Sequence, residues 1–143
     1  MYALFCVNLN SLSGIIHPLF FNISSITVID IGLNQIQGHL PLDIGNTLPN
    51  LEIFTIHGNQ FTRSIPISIS NASNLCTLNL GVNKLTGKVH SLEKLTRITL
   101  FSITQNHLGN GGANNLSFLC SLTNSTNLRD LEINTNNFGG EIA

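Results

Sequence analysis

Residues 75–89 read LCTLNLGVNKLTGKV. Leu75, Leu78 and Leu80 are apolar, with polar or small residues between them, as in a short strand with one buried face. The next inward position holds Asn83; Leu85 follows, and then Gly87. An amide at an apolar position costs free energy unless the fold requires its hydrogen bonds.

The same pattern recurs along the chain. It surrounds Asn34 (Ile26, Ile29, Ile31, Ile36), Asn59 (Leu51, Phe54, Ile56, Phe61), Asn106 (Ile98, Phe101, Ile103, Leu108) and Asn136 (Leu128, Leu131, Ile133, Phe138). Asn10 joins the series through Tyr2, Phe5, Val7 and Leu12. By subtraction the intervals between these asparagines are 24, 25, 24, 23 and 30 residues. A period of this length is the mark of a solenoid.

The period has a mechanism. Each coil lays a short strand about 4.8 Å from the previous one. A parallel ladder needs a dozen or more residues to return the chain, and a period near 24 supplies them. Where the backbone turns inside the stack it leaves peptide groups without ladder partners. An asparagine amide offers both donors and an acceptor, so Asn10, Asn34, Asn59, Asn83, Asn106 and Asn136 are expected to form an inward-facing hydrogen-bonded ladder. Glycine four residues later, at Gly14, Gly38, Gly87 and Gly140, allows a turn with positive φ. Arg63 breaks that rule in the third coil.

Composition narrows the possibilities. Of 143 residues, 42% are apolar and only 9% charged, against roughly 25% charged in an ordinary soluble domain. The formal charge of −1 gives no basic patch for nucleic acid. No apolar run reaches the roughly 20 residues of a membrane span. Cys6, Cys76 and Cys120 make neither a CxxC pair nor a metal-ligand cluster, and their odd number argues against a disulfide framework. The start, MYALFCVNLN, lacks a basic region and is interrupted by Asn8, unlike a signal peptide.

The repeat resembles the plant-type leucine-rich repeat, LxxLxLxxNxLxGxIPxx. The glycine–apolar–proline element reads GHLP at Gly38–Pro41 and SIP at Ser64–Pro66, and is degraded near His17 and His90. The resemblance implies an α/β-type leucine-rich repeat solenoid: a parallel β-sheet on the concave face, a second short strand per coil, and 3₁₀ turns and extended segments on the convex face. About six repeats of roughly 24 residues are expected, over 2–25, 26–50, 51–74, 75–97, 98–127 and 128–143 of a single domain. The similarity extends to receptor-like serine/threonine kinases of the flagellin- and elongation-factor-sensing class. It is carried by NQFTRSIPISISNASNL (59–75) and the long fifth repeat NHLGNGGANNLSFLCSLTNSTNL (106–128). The paired-cysteine caps of that family, a membrane span, the kinase glycine loop, HRD and DFG are not found in the chain. It therefore reads as an internal slice of a receptor ectodomain or a truncated product.

Residues that invite a catalytic reading do not converge. His17, His39, His90 and His107 fall at proline positions or between structural residues of the convex half, with no metal spacing. No serine sits in a GxSxG elbow, and GNGGAN at Gly109–Asn114 lacks both GxGxxG and P-loop spacing. No enzyme activity, cofactor or metal is expected. Four sequons, at Asn22, Asn71, Asn115 and Asn124, are candidate N-glycosylation sites if the chain is secreted. The same residue types also favour turns.

The concave face of a solenoid is its usual binding surface. Its outward positions read Asp30, then Thr55 and His57, Asn79, Ser102 and Thr104, and Glu132 and Asn134. They are polar and sparsely charged, suited to hydrogen-bonding an extended peptide or a protein surface. His57 adds an imidazole to these positions. The expected function is a peptide- or protein-binding module of a plant receptor on the extracellular face of the plasma membrane, with a co-receptor as a second partner. A secreted inhibitor of a pathogen wall-degrading enzyme and a non-functional receptor fragment are the alternatives.

Overall fold

The computed structural model describes residues 3–142. Tyr2, the first apolar position of the series, lies outside the described residues, as do Met1 and Ala143. The first coil carries β1 (Ala3–Cys6) and β2 (Ser13–Ile15), the second β3 (Ile26–Asp30) and β4 (Gln35–His39). The third carries β5 (Ile53–Thr55) and β6 (Gln60–Arg63), the fourth β7 (Thr77–Asn79) and β8 (Lys84–Gly87). β9 (Leu100–Ser102) and β10 (His107–Leu108) follow in the fifth, and β11 (Asp130–Glu132) in the sixth.

Two parallel sheets result. Odd-numbered strands form a six-stranded sheet in the order β1-β3-β5-β7-β9-β11, and even-numbered strands a five-stranded sheet in the order β10-β8-β6-β4-β2. Between the sheets and the return segments lies one continuous core. Ile29, Phe54, Leu78 and Phe101 fill one layer, and Ile31, Ile56, Leu80 and Ile103 a second, all at most 1% exposed. The return segments add Leu40, Ile44, Leu48, Ile69, Leu92, Leu95 and Phe118.

These segments are 3₁₀ turns at Pro18–Asn22, Ile67–Asn71 and Ser117–Leu122. His17 caps the first: its Nδ1 accepts from the Leu19 N–H at 3.2 Å. The second coil departs from the expected 3₁₀ geometry with one α-helical turn, α1 (Ile44–Thr47). Its i to i+4 bonds run from Thr47 N–H to Asp43 C=O (3.1 Å) and from Leu48 N–H to Ile44 C=O (3.2 Å). Gly45 lets this turn press against the third coil, because a Cβ there would collide with the Ser68 carbonyl.

Asparagine side chains stitch the coils together. Asn83 Nδ2 donates to Ile56 C=O of the previous coil (3.1 Å) and to Leu80 C=O of its own (3.2 Å). Its Oδ1 accepts from the Phe61 N–H at 3.0 Å. Asn59 and Asn106 repeat the arrangement one coil away on either side, and all three are at most 8% exposed. Asn34 and Asn136 are half-buried and also reach the preceding coil, through Val7 C=O and Ile103 C=O. Asn10 differs from the inward expectation: it is exposed and, among the described residues, donates within its own coil, to Val7 and Asn8.

The residue before each of these asparagines is left-handed. Leu9, Leu33, Gly58, Val82, Gln105 and Thr135 have φ of 56°, 53°, 70°, 52°, 50° and 57°. Only one is glycine, and β-branched Val82 and Thr135 are sterically unfavourable there. The strain persists because the amide on one side and the strand on the other over-determine the turn. Arg63, an exception to the glycine rule, takes φ 66° like the glycines at the matching positions. The backbone keeps its path, and the side chain bears the cost.

Candidate functional site

The register of the six-stranded sheet sets the outward side chains in rows. Cys6, Asp30, Thr55, Asn79, Ser102 and Glu132 pair in succession across it. Two residues earlier runs a second row: Leu4, Val28, Ile53, Thr77, Leu100 and Asp130. Just past the strands a third row holds Gly32, His57, Gly81, Thr104 and Asn134. Their carbonyls accept from Leu9, Leu33, Gly58, Val82 and Gln105 at 2.7–3.0 Å.

Several of these side chains are already engaged. Asp30 Oδ1 accepts from the Gly32 N–H at 3.2 Å, and Asn79 Oδ1 from the Gly81 N–H at 3.1 Å. Each side chain closes the turn that follows its own strand. Thr104 Oγ1 donates to Asn134 C=O at 3.1 Å. Thr55 is half-buried, and Glu132 and Asn134 are exposed. Ser102 is the correction. It keeps its place in the row but is 0% exposed, so it offers a ligand no surface in this conformation. Alternation along a strand tells which way a side chain points, not whether its neighbours cover it.

His57 sits in a gap that strand alternation did not reveal. Its neighbours in the row, Gly32 and Gly81, carry no side chain. A Cβ on Gly81 would lie 3.1 Å from His57 Nδ1 and 3.3 Å from Asn79 Oδ1. The imidazole therefore lies against Gly81, with Nδ1 buried and without a hydrogen-bond partner among the described residues. Ser102 Oγ is the other buried side-chain polar atom lacking a partner among them. The signal for the gap was in the sequence: the residue two before the ladder asparagine reads Gly32, His57, Gly81. The apolar row was also overlooked. Leu4 is 67% and Ile53 37% exposed, beside half-buried Val28 and Leu100.

The sequons lie off this face and differ among themselves. Asn22 and Asn124 are exposed. Asn71 is exposed but bridged: Nδ2 donates to Asn46 Oδ1 (2.9 Å), and Oδ1 accepts from Lys94 Nζ (2.9 Å). Asn115 is half-buried and locked to Asn110. The cysteines are unpaired, and no group of three or more His, Cys, Asp and Glu converges among the described residues. No helix among them is long and apolar enough to cross a membrane.

No family model matches the chain. Its sequence is 34% identical over 86 residues to receptor-like protein 41 of Arabidopsis thaliana, an alignment covering 58% of this chain and 10% of the relative. It is 32% identical over 105 residues to receptor-like protein 39 of the same plant, covering 73% and 11%. The chain thus spans about a tenth of the length of the curated relatives it matches. The leucine-rich repeat ectodomain of the receptor kinase SOBIR1 from Arabidopsis thaliana superposes with a TM-score of 0.78 at 26% identity, over 92% of this chain and 68% of that one. The fold is a leucine-rich repeat solenoid. A TDR receptor superposes with a TM-score of 0.84 at 26% identity, over 96% and 23%. The BIR3–SERK2 complex from Arabidopsis thaliana gives 0.72 at 25% identity, over 92% and 65%. The solenoid is similar to leucine-rich repeat ectodomains of plant receptor-like proteins and receptor kinases.

Proposed function

We propose that this solenoid is a non-catalytic recognition module from the extracellular part of a plant receptor, and that it binds an extended peptide or a protein segment across its six-stranded sheet. The observation that carries this reading is the three-row outer face. A largely apolar row (Leu4, Val28, Ile53 and Leu100, interrupted by Thr77 and closed by Asp130) runs beside a polar row (Asp30, Thr55, Asn79, Glu132). An extended peptide alternates its side chains in the same way, so apolar anchors meet the first row while backbone and polar groups meet the second. His57, between two glycines, marks where a ligand backbone approaches the sheet most closely.

Such a ligand gathers many weak contacts, of which a few dominate. The BIR3–SERK2 neighbour is a complex, which supports a second protein such as a co-receptor as a partner of this chain as well. A role in pathogen sensing, within the flagellin- and elongation-factor-sensing class, is the finer form of this proposal; it rests on the residue phrases at 59–75 and 106–128.

The test begins with peptides selected from a random displayed library on the purified chain. For those selected, Ile53→Ala, His57→Ala and Glu132→Ala should each weaken binding by about tenfold, the effect of losing roughly 1.4 kcal/mol. Lys94→Ala, on the return segments, should leave Kd within about twofold. Peptides that respond to Lys94→Ala and ignore all three sheet substitutions would place the site elsewhere.

A further inference from the structure

The inserted stretch of the fifth coil takes no part in the outer face. Asn110 and Ala113–Asn115 form one wall of a cavity of about 280 Å³, and Gly87, Lys88 and Gly109 at the ends of β8 and β10 form the other. That wall is held in place by the chain itself. The Asn110 N–H donates to Asn115 Oδ1 (3.1 Å) and Asn115 Nδ2 to Asn110 Oδ1 (3.0 Å), while the Gly112 N–H also reaches Asn110 Oδ1 (3.0 Å). A Cβ on Gly109 would come within 2.9 Å of Asn115 Oδ1 and of Asn137 C=O, and one on Gly139 would strike the Gly111 carbonyl. The insertion is therefore clamped on the sixth coil.

The lining combines uncharged hydrogen-bonding groups with a single charge. Gly87, Gly109 and Asn114 are left-handed, with φ of 86°, 85° and 66°. The Gly87 C=O already accepts from the Gly109 N–H (2.9 Å) and the Asn114 C=O from the Ser117 N–H (3.2 Å), so the uncommitted hydrogen-bonding groups of the lining are side-chain amides. The Asn114 amide and Asn110 Nδ2 make no hydrogen bond among the described residues. Lys88 is the one ionisable residue in the lining. Lys84, Lys94 and Arg97 each reach a neutral amide, on Gln60, Asn71 and Asn74. Lys88 has no such partner among the described residues, nor an ion pair with Glu93 of the adjoining open cleft.

We propose that this cavity binds a sugar acid, with its hydroxyls on the Asn114 amide and Asn110 Nδ2 and its carboxylate on Lys88. The volume equals roughly nine waters of the liquid, enough for one six-membered ring with its substituents. Hydroxyls donate and accept at once, as primary amides do. An acidic peptide side chain would satisfy Lys88 but leave the amides unmatched, so the sugar acid is the better fit. This site is separate from the outer face of the six-stranded sheet and does not depend on its function.

The test titrates the whole chain with glucuronate, glucose and N-acetylglutamate amide, followed by amide chemical shifts of residues 87–88 and 109–115. Glucuronate should bind about tenfold tighter than glucose, the worth of one charge-assisted hydrogen bond. It should also bind tighter than N-acetylglutamate amide. Lys88→Met, at an exposed position, should remove the preference for glucuronate over glucose, Asn114→Ala should weaken both sugars, and Lys94→Met should change neither. Glucuronate that leaves those amides unshifted overturns the proposal, as does a Lys88→Met chain with the preference intact. Equal binding of N-acetylglutamate amide would show a carboxylate site that does not read sugars, and overturns it too.

Discussion

Between Ile26 and Arg97 consecutive coils meet almost backbone to backbone. Gly45 lies directly under Ser68, whose Oγ accepts from the Gly45 N–H at 3.2 Å. Asn50 and Asn74 donate to Ser24 C=O and Pro49 C=O of the coils before them. Asn46, Asn71 and Lys94 chain three successive coils. The fifth coil cannot use that scheme along its whole length, because 30 residues separate Asn106 from Asn136 where its neighbours have 23 to 25. Its glycines still bring the loop against the sixth coil, Gly139 under the Gly111 carbonyl, but much of the excess is held by side chains. Ser121 Oγ accepts from the Leu92 N–H (2.8 Å), Ser125 Oγ donates to Leu95 C=O (2.9 Å), and Phe118 wedges between Phe101 and Phe138, with centroids 6.3 and 5.9 Å away. Equal coils stack in register along their whole return segments; the unequal one touches its neighbour at a few glycines, is filled elsewhere by side chains, and leaves a pocket beside Lys88.

The sharpest way to break this contrast is Phe118→Ala. If one ring anchors the enlarged coil, its removal should cost about 3–5 kcal/mol, as for other buried phenylalanines. Urea denaturation measures the loss, and a value below about 1.5 kcal/mol would mean that the serine hydroxyls suffice.

A matched pair of glycine substitutions compares the two regions directly. Gly45→Ala drives a methyl group into the Ser68 carbonyl and should destabilise the chain by about 1–3 kcal/mol, the range for overpacking. Gly112→Ala, in the insertion, has its nearest contacts with the exposed Asn110 side chain rather than with backbone and should stay within about 0.5 kcal/mol. Similar shifts in the melting midpoint for both would erase the distinction between backbone-packed and side-chain-filled coils.

The smallest contrast is between two asparagines. Asn83→Ala orphans buried peptide groups in two coils and should cost about 1–3 kcal/mol. Asn115→Ala breaks bonds that remain within one exposed loop, where water replaces them, and should cost about 0.5 kcal/mol. Hydrogen exchange adds a second measure: the Phe61 N–H, which bonds Asn83 Oδ1, should lose protection in the first variant alone.

The repeat was legible because it depends on local chemistry. Leu75, Leu78, Leu80 and Asn83 recur with fixed spacing, and each must point inward whatever the neighbouring coil contains. The outward row at Asp30, Thr55, Asn79 and Glu132 followed from alternation for the same reason. Ser102 did not, since its burial depends on how the adjacent strands' side chains fold over it. The left-handed turns at Leu33, Val82 and Thr135 were hidden because these residue types argue against positive φ. The hydrogen bonds of the next asparagine enforce it.

The sequence by itself determined a stacked coil with an asparagine ladder, since apolar periodicity and amide chemistry permit few other ways to satisfy a turning backbone. It also marked the fifth repeat as longer than the rest and set His57 among the outward residues of the strands. The tertiary structure alone decided that Gly45 must lack a side chain, that Ser102 is buried, and that Lys88 shares a cavity with Gly109, Asn110 and residues 113–115. Each of these depends on the distance between coils, which no single coil specifies; it is set by how neighbouring coils pack.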